Sequence, residues 1–357
     1  MKAIKVNADY EVELFHGKTA PPIINHTIEF LALYLEDAPL WSTKNYSKEY
    51  LNHVASITRK EPRIVHSGPF ENWWGPLKDL RVEREWNSKI TSTQIIINQG
   101  WCKNTFIIHK AEDMSALKAD VAYLLKDPFG MSGQRFQVLS QELDLQQKKE
   151  LILKSLSHGS LIIEPLFHRI YDFSQYIFSD GKRIAYQNLV DSKFQYKGTV
   201  FKDYKDPTLE NLPFFHLVSK KNWDNYKEQI NQIIKSYKKL QNNAGFSIDS
   251  FVYEEDNEFK IRAMSEINYR RTMGRMSWEL SSKYSGGKVW SGLYLFKYTG
   301  GEILWELLKD LENVKVLSPG DSRFEVLYLS ARDEDEGIEL LQKLRSLLPD
   351  AQFSIKL

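Results

Sequence analysis

The chain has 357 residues, 42% of them hydrophobic, enough to bury a sizeable core across two or three domains or subdomains. Its 48 Lys and Arg against 47 Asp and Glu leave a formal charge of +1, so no global field draws in nucleic acid or an anionic membrane. A single cysteine, Cys102, excludes an intrachain disulfide, and no spaced Cys/His set suggests zinc. With no long apolar leader and no run near the roughly 18 apolar residues of a membrane span, we expect a soluble, cytoplasmic protein.

Residues 1–85 mix short apolar stretches with a Pro21-Pro22 break and read as a separate N-terminal α/β region. Trp73 and Trp74, beside the Gly75-Pro76 turn, suit a core or interdomain anchor better than a cleft wall. A helix is expected to end near Gly100, a strand to cover 105–108, and a short helix to span Ala116 to Asp120. Val121 to Lys126 reads as a strand running into the loop Asp127 to Arg135, with strand character returning at 136–139. Leu161 to Pro165 reads as a buried strand, ended by a carboxylate and a proline that stops pairing.

Further along, Phe173 to Phe178 and Arg183 to Leu189 read as a hairpin across Asp180-Gly181, a dipeptide that tolerates a type I′ turn. Trp223, Tyr226, Ile230, Ile233, Ile234, Tyr237 and Leu240 recur at helical spacing, closed near Gly245. A second hairpin, 246–253 with 259–267, turns through Glu254 to Asn257. After Gly274 come a helical stretch, a Gly286-Gly287 break, a strand near 326–329 and an amphipathic helix over 338–348, with Asp333 to Glu336 at its N-terminal end. The aromatic residues are scattered rather than interleaved with a basic patch, which favours packing over base stacking.

Several chemistries are excluded by pattern. Gly17-Lys18-Thr19 resembles the tail of a phosphate-binding P-loop, but the glycine needed upstream is Val12. No Gly-x-Gly-x-x-Gly, His-Glu-x-x-His or Gly-x-Ser-x-Gly occurs. The informative stretch is Ser265 to Gly274. Glu266 and Asn268 stand two residues apart, so in a strand both side chains face one way, and Arg270 follows just beyond them. Hard oxygen ligands with a guanidinium beyond them suit a magnesium ion carrying a polyphosphate.

The order Lys126, glycine- and serine-containing loop, Glu164, and then Asp249, Glu266 and Asn268 on a hairpin resembles the ATP-grasp superfamily over roughly residues 85–275. The resemblance implies a mixed α+β and α/β chain: a domain at 1–85 preceding the ATP-grasp domain, an ATP-grasp domain at 86–300, and a small α/β appendage at 301–357. Within the ATP-grasp domain it implies two α+β subdomains clamping the nucleotide, a lid over about 105–163 and a metal-binding half over about 164–300.

By the same resemblance, Lys89 and Lys126 hold phosphate, and Gly130, Ser132 and Gly133 belong to a mobile lid loop. Glu164 is the hinge carboxylate with Phe167 at the base, and Asp172 or Ser174 meets the ribose. Asp249, Glu266 and Asn268 hold Mg2+, with Mn2+ as a substitute ion, and Arg270 stabilises the transferring phosphoryl group. The implied activity is ATP-dependent ligation: a carboxylate is activated as an acyl phosphate, and an amine or similar nucleophile displaces phosphate. A small-molecule kinase or a non-catalytic nucleotide binder on the same scaffold are the alternatives. The implied partners are a small carboxylate and a small amine, with neither nucleic acid nor membrane, and no motif names an oligomeric state.

Overall fold

The computed structural model describes residues 2–16, 25–75, 80–129, 136–157, 159–237, 245–300, 303–349 and 351. Gly17-Lys18-Thr19 and the loop residues Gly130, Ser132 and Gly133 lie outside the described residues. Among the described residues no helix is long and apolar enough to cross a membrane.

Three sheets organise the chain. The first is parallel, ordered β3-β2-β1-β4, from β1 (Ala3–Lys5), β2 (Leu40–Trp41), β3 (Ile64–Val65) and β4 (Phe70–Asn72). Helices join β1 to β2 and β2 to β3, while residues 66–69 lead from β3 to β4 without one. One of these helices, Lys48–Thr58, is capped by Ser47, whose hydroxyl accepts the Tyr50 N–H, and ends on Arg59 in the left-handed conformation.

The second sheet is antiparallel, ordered β5-β8-β6-β7, from β5 (Phe106–Ile108), β6 (Tyr123–Lys126), β7 (Phe136–Leu139) and β8 (Leu161–Pro165). Helix Leu145–Leu156 sends Ile152 into its core beside Ile108, Leu125, Leu139 and Ile163. The helix expected over 116–120 is absent. A 3₁₀ turn at Ala111–Ala116 takes its place, started early because the Asp113 carboxylate accepts the His109 and Lys110 N–H groups.

The third sheet has eight antiparallel strands, ordered β13-β12-β9-β10-β11-β14-β16-β15. They are β9 (Arg169–Ile177), β10 (Arg183–Val190), β11 (Tyr196–Phe201), β12 (Phe246–Glu255), β13 (Glu258–Asn268), β14 (Trp290–Phe296), β15 (Val314–Val316) and β16 (Glu325–Ala331). Helix Lys220–Tyr237 buries Trp223, Tyr226, Ile230, Ile233 and Ile234 against Phe173, Ile248 and Ile267 on one face. Alternation along the strands turns Ser174, Asp249 and Asn268 to the opposite face, which fronts the second sheet. The C-terminal stretch completes this sheet with β15 and β16, and it also packs on the N-terminal region, where the Tyr50 hydroxyl donates to the Leu317 carbonyl at 2.6 Å.

The two hairpins turn differently from expectation. Between β9 and β10 the Gly181 N–H returns to the Phe178 carbonyl and the Phe178 N–H to the Lys182 carbonyl. Among positions 178–182 only Gly181 has positive φ, 89°, so this is a longer turn ending in a glycine bulge rather than type I′. The two-residue turn with both positions left-handed is Asp256-Asn257, at φ 56° and 60°, between β12 and β13.

Helix Met273–Tyr284 crosses the third sheet with Gly274 against the Tyr186 ring, where a Cβ would stand 2.0 Å from a ring carbon. The Tyr186 ring is buried and its hydroxyl is tied to Thr272 at 3.1 Å, so it has little room to yield. Gly274→Ala is therefore expected to lower stability by about 1–3 kcal/mol despite alanine's better helix propensity. A urea titration checks this, and an unchanged midpoint would show that the ring moves freely.

Candidate functional site in the cleft between the second and third sheets

The site begins at the joint between the two sheets. Ser88 caps helix Lys89–Asn98 by accepting the Ile90 N–H, the Lys89 N–H donates to the Pro128 carbonyl, and Asn87 accepts the Tyr269 N–H at 2.8 Å. These ties set the Lys89 ammonium 2.7 Å from Glu266 Oε2. From the second sheet, Lys126 at the end of β6 pairs with Glu164 on β8, and each residue is only 2% exposed. Lys126 also donates to Ser265 on β13 at 3.4 Å. Ser265 and Glu266, although consecutive, thus both engage cleft lysines. A β-bulge makes this possible, since the β12–β13 register slips between Asp249 and Phe251.

Asp249 and Glu266 are direct cross-strand partners, and the Asn268 amide nitrogen donates to Asp249 at 2.8 Å and to Glu266 at 3.2 Å. Ser174, on β9 opposite Asp249, donates to the same carboxylate at 2.7 Å and accepts from Asn188 at 2.6 Å. The Asn268 oxygen accepts from Arg270 at 3.0 Å. That amide orientation is the one in which donors meet acceptors, because the acids can only accept and the guanidinium can only donate. Arg270 also lies over the Trp74 ring at 5.0 Å, and Arg271 lies over Trp73 at 4.1 Å with Glu36 at 3.0 Å. The tryptophan pair therefore anchors the N-terminal region to the end of β13.

Two carboxylates this close, in low dielectric, cannot both ionise freely. Burial and the neighbouring Glu266 charge push Asp249 up to about 7. Burial acts the same way on Glu266, but Lys89, Lys126 and Arg270 outweigh it and bring that carboxyl down to about 2. Burial also works against Glu164, and Lys126, Arg262 and Arg169 overcome it, so its carboxyl lies below the usual range. Asp172 is raised by burial against the pull of Arg169.

The trio of Asp249, Glu266 and Asn268 offers only oxygen ligands, two of them carboxylates, which is the donor set of a hard divalent cation. Asp249, pushed up by burial and by Glu266, is the group such a cation would relieve. Among the described residues no three His, Cys, Asp or Glu side chains gather as a metal site, so an ion held here would need the amide oxygen as its third protein ligand.

No protein-family model matches the chain, and no curated protein matches it in sequence. Solved structures do. N5-carboxyaminoimidazole ribonucleotide synthetase from Thermus thermophilus superposes with a TM-score of 0.53 at 12% identity, covering 99% of this chain and 100% of that one. Phosphoribosylamine–glycine ligase from Thermotoga maritima gives 0.51 at 12% identity, covering 99% and 97%. A biotin carboxylase–ATP complex from Campylobacter jejuni gives 0.50 at 14% identity, covering 98% and 91%. The chain has the ATP-grasp fold.

Within that fold the structure gathers Lys89, Lys126, Glu164, Asp172, Asp249, Glu266, Asn268 and Arg270 along one cleft. Phe167 stands at its edge, 4.6 Å from Tyr253 and 5.4 Å from Phe251. The two ribose candidates are already engaged, Asp172 by Arg169 at 3.2 Å and Ser174 by Asp249. Two cleft cations escaped sequence reading. Arg169 reaches Glu164 at 3.5 Å, and Arg262, 5% exposed, lies 3.7 Å from the same carboxylate, its Nε and Nη1 without a partner among the described residues. Alternation offered one signal for Arg262, which lies four residues before Glu266, although a bulge in β13 falls between the two.

Proposed function

We propose that the protein is an ATP- and magnesium-dependent ligase that activates a small carboxylate as an acyl phosphate and joins it to an amine or similar nucleophile, releasing ADP and phosphate. The observation that carries this reading is the convergence of Asp249, Glu266 and Asn268 within hydrogen-bond distance, in the cleft that also holds Lys89 and Lys126. Neighbours solved with ADP, and with ADP and 5-aminoimidazole ribonucleotide, support a nucleotide beside a small acceptor on this scaffold.

In this reading Lys126 and Lys89 give up their carboxylate partners to the phosphates and place positive charge along the chain that is cleaved. Asp249, Glu266 and Asn268 would hold Mg2+ or Mn2+, and the ion would supply charge neutralisation for phosphoryl transfer. Offering its oxygen to a cation requires the Asn268 amide to turn, and Arg270 then loses that oxygen as an acceptor at Nη2 while its Nη1 keeps the Arg271 carbonyl. Its guanidinium becomes available to the carboxylate or acyl phosphate, with Trp74 holding the plane of the fork. No nucleophilic side chain is required. Positioning and charge neutralisation carry the rate, and exclusion of water protects the acyl phosphate.

The test is a magnesium-dependent ADP-release screen over pairs of small carboxylates and amines, with mass analysis of products. A new C–N bond formed with stoichiometric ADP is the expected outcome. A stable phosphorylated acceptor would make the protein a kinase, and silence across pairs despite tight ATP binding would make it a nucleotide binder.

A further inference from the structure

Arg169 opens β9 at the rim of the cleft with its side chain 11% exposed. Its guanidinium carbon lies 4.0 Å from the centre of the Phe251 ring and 4.8 Å from that of Phe194. The edge of the same group reaches Asp172 at 3.2 Å and Glu164 at 3.5 Å. A planar, delocalised group stacked on rings and hydrogen-bonded along its edge behaves as a heteroaromatic base would.

The second ring is set there by the backbone. Phe194 has φ 59°, a left-handed conformation rare for a bulky residue. The β10–β11 turn imposes it, with the Phe194 N–H returning to the Asp191 carbonyl and the Asp191 carboxylate accepting the Lys193 and Gln195 N–H groups. Phe194 also lies 6.3 Å from Phe136 on β7, so the stack reaches from the third sheet to the second.

Arg169 is not the only cation beside Glu164. Glu164 already pairs with Lys126 and has Arg262 at 3.7 Å, so three cations surround two carboxylates. Arg262, nine-tenths buried, keeps Nε and Nη1 without an acceptor among the described residues, lies 5.9 Å over the Phe167 ring and is the cross-strand partner of Phe251. Spare donors beside a stacked slot call for a ligand carrying acceptors, as the ring nitrogens of a purine do.

We propose, resting on the ATP-binding reading above, that Phe194 and Phe251 are the stacking walls of the base slot and that Arg169 fills this slot in the empty protein, so that an incoming purine displaces the guanidinium. Binding then carries a cost set by the fraction of molecules whose slot is open.

Arg169→Lys tests this, because it keeps a cation beside Asp172 and Glu164 and removes the planar group. In isothermal titration of ATP with magnesium, Arg169→Lys is expected to bind about five- to tenfold more tightly than wild type. Adding Phe194→Ala to that variant is expected to weaken binding about fivefold or more by removing one wall, with circular dichroism melting confirming that both variants fold. Equal or weaker binding by Arg169→Lys, or no loss on adding Phe194→Ala, overturns the slot while leaving the ATP reading intact. Absence of ATP binding by all three proteins overturns both.

Discussion

Replacing Glu266 with glutamine is expected to cut magnesium-dependent ADP release by at least about a hundredfold while leaving the fold intact. On the proposed reading the two effects separate, because a carboxylate kept for a metal ion is held at some expense to stability. Glu266 and Asp249 face each other across β12 and β13, and their repulsion contributes to pushing Asp249 up to about 7. A glutamine keeps one oxygen that can accept from Lys89, now at 2.7 Å, gives up the 3.2 Å bond from Asn268, and removes the like charge opposite Asp249. The melting temperature should therefore stay within a few degrees of wild type or rise. A protein that loses activity and fold together would show the pair to be structural, and full activity in the variant would remove Glu266 from the metal site.

Glu164→Ala has the opposite signature, a loss of about 3–5 kcal/mol in urea unfolding. This carboxylate is 2% exposed and has Lys126, Arg169 and Arg262 around it, so its removal leaves three cations in a cleft wall with Asp172 and the Glu266 charge, itself paired with Lys89, to offset them. Such a penalty exceeds that of truncating an ordinary core side chain of this size, because uncompensated buried charge dominates it. The pH dependence has a defined sign. The Glu164 carboxyl is held below its ordinary value of 4.5, so its contribution is complete above that pH and disappears as the pH falls through the lower folded-state value. The gap between wild type and Glu164→Ala should be constant near neutrality and narrow in acid. A variant less than about 1 kcal/mol weaker at pH 7 would mean that water already screens the cluster.

The contrast between these two acids shows what was legible in the sequence. Arg270, beyond the strand's end, was read from the family resemblance, whereas Glu266 and Asn268 could be read because a strand with period two places alternate residues together, a rule that survives in β13 as far as Glu266. Just before Glu266 a bulge breaks it, and no local pattern shows that Ser265 shares the cleft. Arg169 and Arg262 were missed for a related reason. Their significance lies in sharing Glu164, a residue on another sheet, and that depends on how β8 meets β9 and β13.

Lys89 and Lys126 were legible as cations in the right order, but their partners, Glu266 and Glu164, come from long-range packing. Turn chemistry misled in one place. Asp180-Gly181 resembles a two-residue turn, yet the residues flanking it lengthen the loop, and the left-handed pair sits at Asp256-Asn257. Similarly, β15 and β16 read as a separate piece because sequence distance hides their pairing beside β14.

Anomalous diffraction from crystals grown with Mn2+ and a non-hydrolysable ATP analogue tests the central claim most directly. The account predicts a manganese signal within coordination distance of Asp249, Glu266 and Asn268, with the triphosphate beside it and in contact with Lys89 and Lys126. Nucleotide bound elsewhere, or bound in the cleft with manganese away from these three side chains, would contradict it.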